Sequence, residues 1–513
     1  MWKQKSRIQW LKEGEKNSKF FHKAMINHCQ HNIIFSLKDK EGNRVTQQDE
    51  IEHLLVEHFK DILSEPNINR AEDIDKISHH IPKKVTRDQN LALLRIISKD
   101  ELEEAINKMA KNKAPGPNGF TIKFYQANWS FMGNDLLDLV EESRCSKRMH
   151  HGLNTTFLAL IPKSGYSDES LGFRPISLCN VVYKILATII VNRLKPILPE
   201  LIALVQTGFV QGRQITDGII VAQEVIHSLK SSGAPGMLIK LDLAKAFDRL
   251  SWIYLEGILK SYVFDQQWIK WILSKVSCPV VSILLNGSPS EAFTPSRGLR
   301  QGNPLSPFLF ILAANGLGRL VKAQVSREKI KGLHIYGEDI SVSHQQFVDD
   351  IMLYDQATLK EAQRIIKSLS QFSRASGMEI NKDKLEVFFF NTSLAVQSFL
   401  AHTIGFNRGS FPFKYLGIML HEHQFWSANS NLLIKKIRNK MENWTHRSLN
   451  APSLVTLLKS VLQAIPNYQL SCQAIPKAAS QKLVSLFKNF LSQGTRKTRK
   501  WALISWEWLL PAP

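Results

Sequence analysis

QQFVDDIMLY (345–354) is the stretch that decides how this chain folds. Two adjacent carboxylates, Asp349 and Asp350, stand between Phe347-Val348 on one side and Ile351-Met352-Leu353-Tyr354 on the other. An uncompensated charge buried in a sheet costs on the order of several kcal/mol. The pair is tolerable at the turn of a hairpin, above all if a cation binds there. Side chains alternate faces along a strand, so the two acids should not both point at one site. Working outward, an isolated acid, Asp242, follows the strand-like MLIK (237–240) and precedes LAKAFD (243–248). One member of the dyad would then pair with Asp242 across neighbouring strands and hold a divalent metal.

The run GLRQGNPLSPFLFILAANGL (298–317) reads as a loop leading into a buried helix. Gly298 and Gly302 allow close backbone approach, while Pro304 and Pro307 fix the entry to the helix. Arg300 and Gln301 are polar groups delivered at its start, where a helix N-terminus favours a phosphate-bearing ligand. Ahead of Asp242 stand Lys163, closing LALIPK, and Arg174, in FRPISL. Binding a triphosphate needs such positive groups in addition to metals. Taken singly each is an ordinary surface charge, and their order before the acids sets them apart.

The rest of the chain frames these residues. Its 513 residues suggest about three domains. Hydrophobic residues at 44% and charged residues at 22% exclude a disordered or collagen-like chain. Lys and Arg number 66 against 45 Asp and Glu, and the net charge of +21 favours a polyanionic partner. Five scattered cysteines with no CxxC pair argue against a disulfide framework or zinc ribbon. The His22, His28, Cys29, His31 cluster matches no zinc spacing and reads as solvated surface. No apolar run approaches the roughly 18 residues of a membrane span, so a soluble, intracellular protein is expected. Residues 1–30 read as basic and helical, and helical patterns follow at 47–63 and 98–112. In the second, Ser98 is the N-cap and Glu101 completes a capping box. Residues 276–296 predict a hairpin turning at Asn286-Gly287, and the chain after 430 reads as helical and basic.

These blocks fall into an ordered set: APGPNGF (114–120), LALIPK (158–163), FRPISLCNVVYKILATIIVNRL (173–194), QTGFVQGRQITDGI (206–219) and KLDLAKAFDRLSW (240–252). GLRQGNPLSPFLFIL (298–312), FVDD (347–350), GMEINKDK (377–384) and YLGIML (415–420) complete it. The set closely resembles the reverse transcriptase of non-LTR (LINE-type) retrotransposons, most like the plant elements. That resemblance implies an α+β right-hand polymerase with fingers, a palm bearing the acids on an antiparallel sheet, and a helical thumb. The expected partition is a helical N-terminal extension at 1–110, fingers at 111–235, palm at 236–425 and thumb at 426–513.

The resemblance also assigns roles. Asp242 and Asp349 are implied ligands of two Mg²⁺ ions, with Mn²⁺ as the substitute; Asp350 completes the triad and Leu243 adds a backbone carbonyl. Phe247 matches the bulky residue that excludes a ribose 2′-hydroxyl. Lys163 and Arg174 match finger residues on the incoming triphosphate, and Gln301 lines the nucleotide and template pocket. Lys384 aligns with a lysine that protonates the leaving pyrophosphate as a general acid. Tyr415-Leu416-Gly417 resembles the primer-grip turn. The implied partners are an RNA template, a DNA primer and dNTPs, with no membrane; the implied location is nucleus or cytoplasm, without a clear signal.

Four positions depart from the family pattern. Asn118 and Asn303 stand where Asp is usual, Val348 replaces Ala before the dyad, and Leu385 replaces Ser or Thr after the lysine. An endonuclease ahead of the polymerase and a Cys/His-rich segment behind it are also expected of whole elements, so the chain reads as a polymerase fragment. The alternative is a decayed remnant that only binds nucleic acid. A metal-dependent nuclease is disfavoured, because it would leave the finger and nucleotide-pocket motifs without a purpose.

Overall fold

The computed structural model describes residues 26, 32–163, 167–277, 279–326, 333–334, 341–422, 426–445, 451–473 and 475–493. The expected N-terminal basic helix, the His22–His31 cluster and the basic stretch after 493 lie outside them. The described residues form a mixture of helices and sheets grouped in two units. One takes in residues up to 214 and 233–408; the other takes in 215–232 and those from 409 onward.

Two sheets organise the first unit. In one, β1 (Thr155–Pro162) pairs antiparallel with β2 (Phe173–Cys179). The site-bearing sheet is built on β3 (Gly236–Ala244), whose first residues are buried while Lys240, Asp242 and Ala244 lie half-exposed on its open face. Against the other edge of β1, parallel, lies β4 (Val280–Leu285), which turns through Asn286-Gly287 into β5 (Ser288–Pro289). Both turn residues have positive φ, 52° and 100°, as the expected tight hairpin requires. Strand β6 (His344–Phe347) turns into β7 (Asp350–Gln356), which pairs antiparallel along β3. The short β8 (Glu379–Ile380) and β9 (Glu386–Phe390) also pair with β3, and β9 carries β10 (Asn407–Arg408) in parallel.

Helices bury both sheets, α1 (Gln48–Leu63) that of β1, β2 and β4 and the others the acid-bearing one. In α1 the residues at helical spacing, Ile51, Leu55, Phe59 and Ile62, are the buried ones. Helix α2 (Val181–Leu194) is buried nearly all round, including Arg193. Helix α3 (Trp252–Ser261) packs on α4 (Ser306–Ser326) and on α5 (Leu359–Ser376). Thr358 caps α5 by accepting from Glu361 N, and Gly377 ends it at φ 77°.

Two expectations need correcting. By length and mean hydropathy α4 could cross a membrane, against the reading that no run is apolar enough. It is instead a core helix, with Leu309 through Ala314 at 1% exposure or less. The capping box at Ser98 is half made. Ser98 accepts from Glu101 N, but the Glu101 carboxylate is taken by both Nε and Nη2 of Arg193 at 2.8 Å. A full box forms at Thr86 and Gln89 instead.

In the second unit, helices at 426–445, 451–457, 464–470 and 477–493 enclose Leu433, Ile437, Leu458, Leu462 and Phe487. Its hairpin, Phe413–Tyr415 with Ile418–Leu420, turns at Leu416 and Gly417, both at positive φ.

Candidate active site

The β6–β7 connection brings the acids together. Phe347 and Asp350 are the last pair of the ladder, so Val348 and Asp349 form a two-residue turn. Asp350 then lies directly opposite Asp242 in register. Directly opposed residues of an antiparallel pair share a face, so these two carboxylates are neighbours. Both dyad acids are half-buried. Burial first, and the charge of Asp242, hold the Asp349 carboxyl above its ordinary value. Burial, then Asp349 and Asp242, push Asp350 up to about 6.

That mutual repulsion is what a hard cation relieves. No three His, Cys, Asp or Glu side chains among the described residues form a ready metal cage. Mg²⁺ does not require one, because it is commonly held by one or two carboxylates plus substrate oxygens and water. The donor set therefore fits a divalent ion shared with a phosphorylated substrate. Leu243 itself has a buried side chain and pairs in the ladder with Ile380.

Cations surround the acids. The Lys384 ammonium donates to Asp242 Oδ2 at 2.7 Å, and Asn381 N donates to the Asp242 backbone carbonyl at 2.9 Å. Lys163 follows β1; its Nζ donates to Leu171 O at 2.8 Å. Desolvation first, then Arg174 and Lys384, hold its ammonium below the ordinary value, while Asp248 and Asp242 act oppositely. Arg174 is exposed on β2, opposite Ile161. The structure thus gathers Lys163, Arg174, Lys384 and the three acids into one electrostatic neighbourhood.

Phe247 lies on the short turn Ala246–Arg249, half-buried, its ring stacked on Phe310 with centroids 4.5 Å apart. Gln301 spends its amide on a carboxylate, donating from Nε2 to both oxygens of Asp248 at 2.8 and 3.0 Å. Its carbonyl accepts from Ser177 N, joining this loop to β2. Gly298 is at φ 94°, and a Cβ there would meet Asp248 O at 2.5 Å. The Arg300 guanidinium lies over the Tyr183 ring at 4.4 Å and also donates to Asn154.

Sequence reasoning missed three members. Asp248 is 4% exposed, and burial pushes its carboxyl up to about 6. The Lys245 ammonium donates to His58 Nε2 at 2.8 Å. Burial lowers both, Lys245 to about 8 and His58 to about 4. The acid six residues after Asp242 was a visible signal. His58 lies 187 residues from Lys245 and gave none.

Comparison with known proteins decides what this arrangement belongs to. Residues 161–420, just over half of the chain, match the family described as "Reverse transcriptase (RNA-dependent DNA polymerase)". The chain belongs to this reverse transcriptase family. It is 28% identical over 421 residues to the "Transposon TX1 uncharacterized 149 kDa protein" of Xenopus laevis, covering 82% of this chain and 32% of that one. It is 23% identical over 337 residues to the "Retrovirus-related Pol polyprotein from type-2 retrotransposable element R2DM" of Drosophila melanogaster, covering 65% and 29%. A 67-residue stretch, 13% of this chain, is 40% identical to the "Uncharacterized mitochondrial protein AtMg01250" of Arabidopsis thaliana and covers 55% of it. The chain spans about a third of the length of the two transposon proteins.

As a member of this family, the chain accommodates its departures locally. Asn303 is buried and donates from Nδ2 to Tyr183 Oη at 3.1 Å. Asn118 accepts from Phe120 N through Oδ1, and its own N–H donates to Asn180 Oδ1 at 3.0 Å. Leu385 is a core residue at 3% exposure. Val348, a strand former by type, occupies the turn at φ 59°. That conformation is a genuine outlier for a β-branched residue. It is held because Val348 N donates to Oε1 of the buried Gln206 at 2.9 Å.

Proposed function

We propose that the chain is the RNA-directed DNA polymerase portion of a non-LTR retrotransposon protein, adding dNTPs to a primer 3′-hydroxyl on an RNA template. One observation carries this reading: Asp350 opposes Asp242 in register at the end of a hairpin whose turn holds Asp349, ringed by Lys163, Arg174 and Lys384. In right-hand terms, residues 111–235 supply the fingers, 236–425 the palm, 426–513 the thumb and 1–110 the N-terminal extension.

Asp242, Asp349 and Asp350, with the Leu243 carbonyl, would hold divalent metal, Mg²⁺ or Mn²⁺. Two such ions, when bound, lower the pKa of the primer hydroxyl and take up charge on the leaving pyrophosphate. Lys163 and Arg174 orient the triphosphate by charge-assisted hydrogen bonds. Lys384 sits with its ammonium at Asp242, where it can hand a proton to a departing phosphate oxygen. The Phe247 ring, braced by Phe310, closes the space a ribose 2′-hydroxyl needs. Gln301, anchored by Asp248, fixes the loop that floors the pocket, and Tyr415-Leu416-Gly417 grips the primer.

The deciding experiment is dTTP incorporation on an oligo(dT)-primed poly(A) template with Mg²⁺. Incorporation supports the polymerase reading. A folded chain that binds RNA without incorporating would instead be the decayed remnant. The intact acids and the satisfied contacts of Asn118 and Asn303 favour the first outcome.

Two further results are expected. Phe247→Ala relaxes sugar selection, raising ribonucleotide use relative to dNTPs by ~10–100-fold; unchanged discrimination would make Phe247 a core residue only. Protons compete with metal at Asp349 and Asp350, whose carboxyls are raised, the latter to about 6. Mn²⁺ affinity, read as loss of the free-ion EPR signal, is therefore expected to fall about tenfold per pH unit below about 6. The native state keeps protons that the unfolded chain releases near pH 4, so metal-free stability falls as pH rises from there to about 6. A flat Mn²⁺ affinity between pH 5 and 7 would place metal binding elsewhere.

A further inference from the structure

Helix α1 is anchored by its apolar stripe to the sheet of β1, β2 and β4, and Phe59 lies in that core. The residue before it, His58, is half-buried, its ring edge-on to Phe59 with centroids 5.2 Å apart. His58 Nε2 accepts from the Lys245 ammonium at 2.8 Å, and Lys245 Nζ also lies 5.7 Å over the Phe59 ring. Lys245 is the first residue past β3, three positions after Asp242, and it adopts φ 48°. Its carbonyl accepts from Asp248 N and Arg249 N at 2.9 and 3.1 Å, which locks the left-handed turn. A residue other than glycine keeps such a conformation where its surroundings impose it. Lys245 is thus fixed at its backbone by the turn and at its tip by α1.

The charge of this contact sets it apart. An ammonium carries three donors and no acceptor, so His58 accepts as the neutral imidazole with its proton on Nδ1. Among the described residues Lys245 makes no ion pair. Burial opposes its charge, as do Lys163 and Arg249, while Asp248 and Asp61 favour it. Neither acid is its mate: the Asp248 carboxylate takes both its bonds from Gln301 Nε2, and Asp61 is exposed. Histidine therefore fixes where the ammonium stands without neutralising it. A glutamate in its place would fix the ammonium equally and cancel the charge. Lys163, whose Nζ donates to a carbonyl, also makes no ion pair among the described residues, and it senses Asp242 as well as Asp248. Two ammoniums without a carboxylate between them are held in each other's field beside the acids. A polyanion delivered there relieves that repulsion.

We propose that Lys245 is a further phosphate-binding cation of the nucleotide site, donating to the incoming triphosphate beside Lys163, and that His58 is its positioning residue. The inference rests on the polymerase reading, which puts a nucleoside triphosphate at the acids. Two donors of the Lys245 ammonium remain for phosphate oxygens, and charge-assisted bonds of this kind are short and strong. Helix α1, which lies ahead of the fingers in the chain, thereby sets nucleotide affinity without touching the nucleotide.

Titration calorimetry of the full chain with inorganic tripolyphosphate, in metal-free buffer at about 0.15 M salt, reads the anion site apart from any chemistry. Lys245→Met and His58→Leu are each expected to weaken binding about tenfold. His58→Gln keeps a neutral acceptor and should stay within about threefold of wild type. His58→Glu should weaken binding as much as Lys245→Met while its melting temperature holds or rises, because the new carboxylate pairs with Lys245. A merely structural contact would not move affinity and stability in opposite directions. In primer extension the weakened variants should raise KM for dTTP about tenfold with kcat within about threefold. Their affinity for a fluorescent RNA–DNA primer–template, read by anisotropy, should match wild type. Equal tripolyphosphate affinity of the wild-type, Lys245→Met and His58→Glu proteins overturns the proposal. So does primer–template affinity that falls in step with the rise in KM, which would put Lys245 on a nucleic-acid phosphate. A chain that binds tripolyphosphate in the expected pattern yet never extends a primer overturns the polymerase reading and upholds the anion site.

Discussion

Asp349→Ala is expected to abolish primer extension, by at least about a thousandfold, which is about 4 kcal/mol in the barrier. The protein should remain folded and bind RNA as before. The residue sits in a two-residue turn, not in the ladder, so removing its carboxylate leaves the β7–β3 pairing intact. It also removes a neighbour that raises the Asp350 carboxyl. Asp350 should therefore titrate closer to the ordinary carboxylate range in the variant. Apparent stability at pH 7 in metal-free buffer should rise slightly, because a half-buried repulsion is gone. Loss of activity without loss of stability is the signature of a metal-ligating acid. Extension that persists in a folded Asp349→Ala protein would sink the assignment of this residue.

Arg193→Ala is expected to be among the most destabilising single changes in the first unit, by ~3–5 kcal/mol. Arg193 is 8% exposed, and its guanidinium holds the Glu101 carboxylate by two hydrogen bonds of 2.8 Å. It also donates to the carbonyls of Leu93, Arg95 and Ile96. Truncation leaves a largely buried carboxylate with Arg95, at 3.7 Å, as its remaining ion pair and strands three carbonyls at once, and a polar group left unpaired costs more than its bond contributed. Urea unfolding followed by tryptophan fluorescence should show the loss as a lower midpoint with an unchanged slope. The double variant Glu101→Leu/Arg193→Met should recover much of it, since replacing both partners by apolar groups removes the stranded charge. A single variant within 1 kcal/mol of wild type would show that water reaches this pair.

Much of the site was legible in QQFVDDIMLY and MLIKLDLAKAF, because two periodicities act there. Alternation along a strand puts Asp242 on the open face beside Lys240, and an adjacent acid pair amid strand formers marks a hairpin turn, which holds Asp349 while Asp350 opens the next strand. The Asn286-Gly287 hairpin was equally local, since both residues accept positive φ. The capping box at Ser98 failed for a distant cause. Glu101 had a stronger partner in Arg193, 92 residues away.

What the sequence determined by itself was therefore local geometry: an acid dyad at a hairpin, a third acid on a strand, an apolar helix behind a glycine-rich loop. Those features depend on residues within a few positions of each other, where steric and hydrogen-bonding rules leave few choices. The tertiary structure alone decided which acid of the dyad opposes Asp242, that Gln301 is held by Asp248, and that His58 holds Lys245. It also decided that residues 215–232 group with those from 409 onward. Each of these is a contact between segments whose separation along the chain carries no periodic signal. Its partners are selected by how the apolar faces close over one another and by which buried polar groups then find a mate.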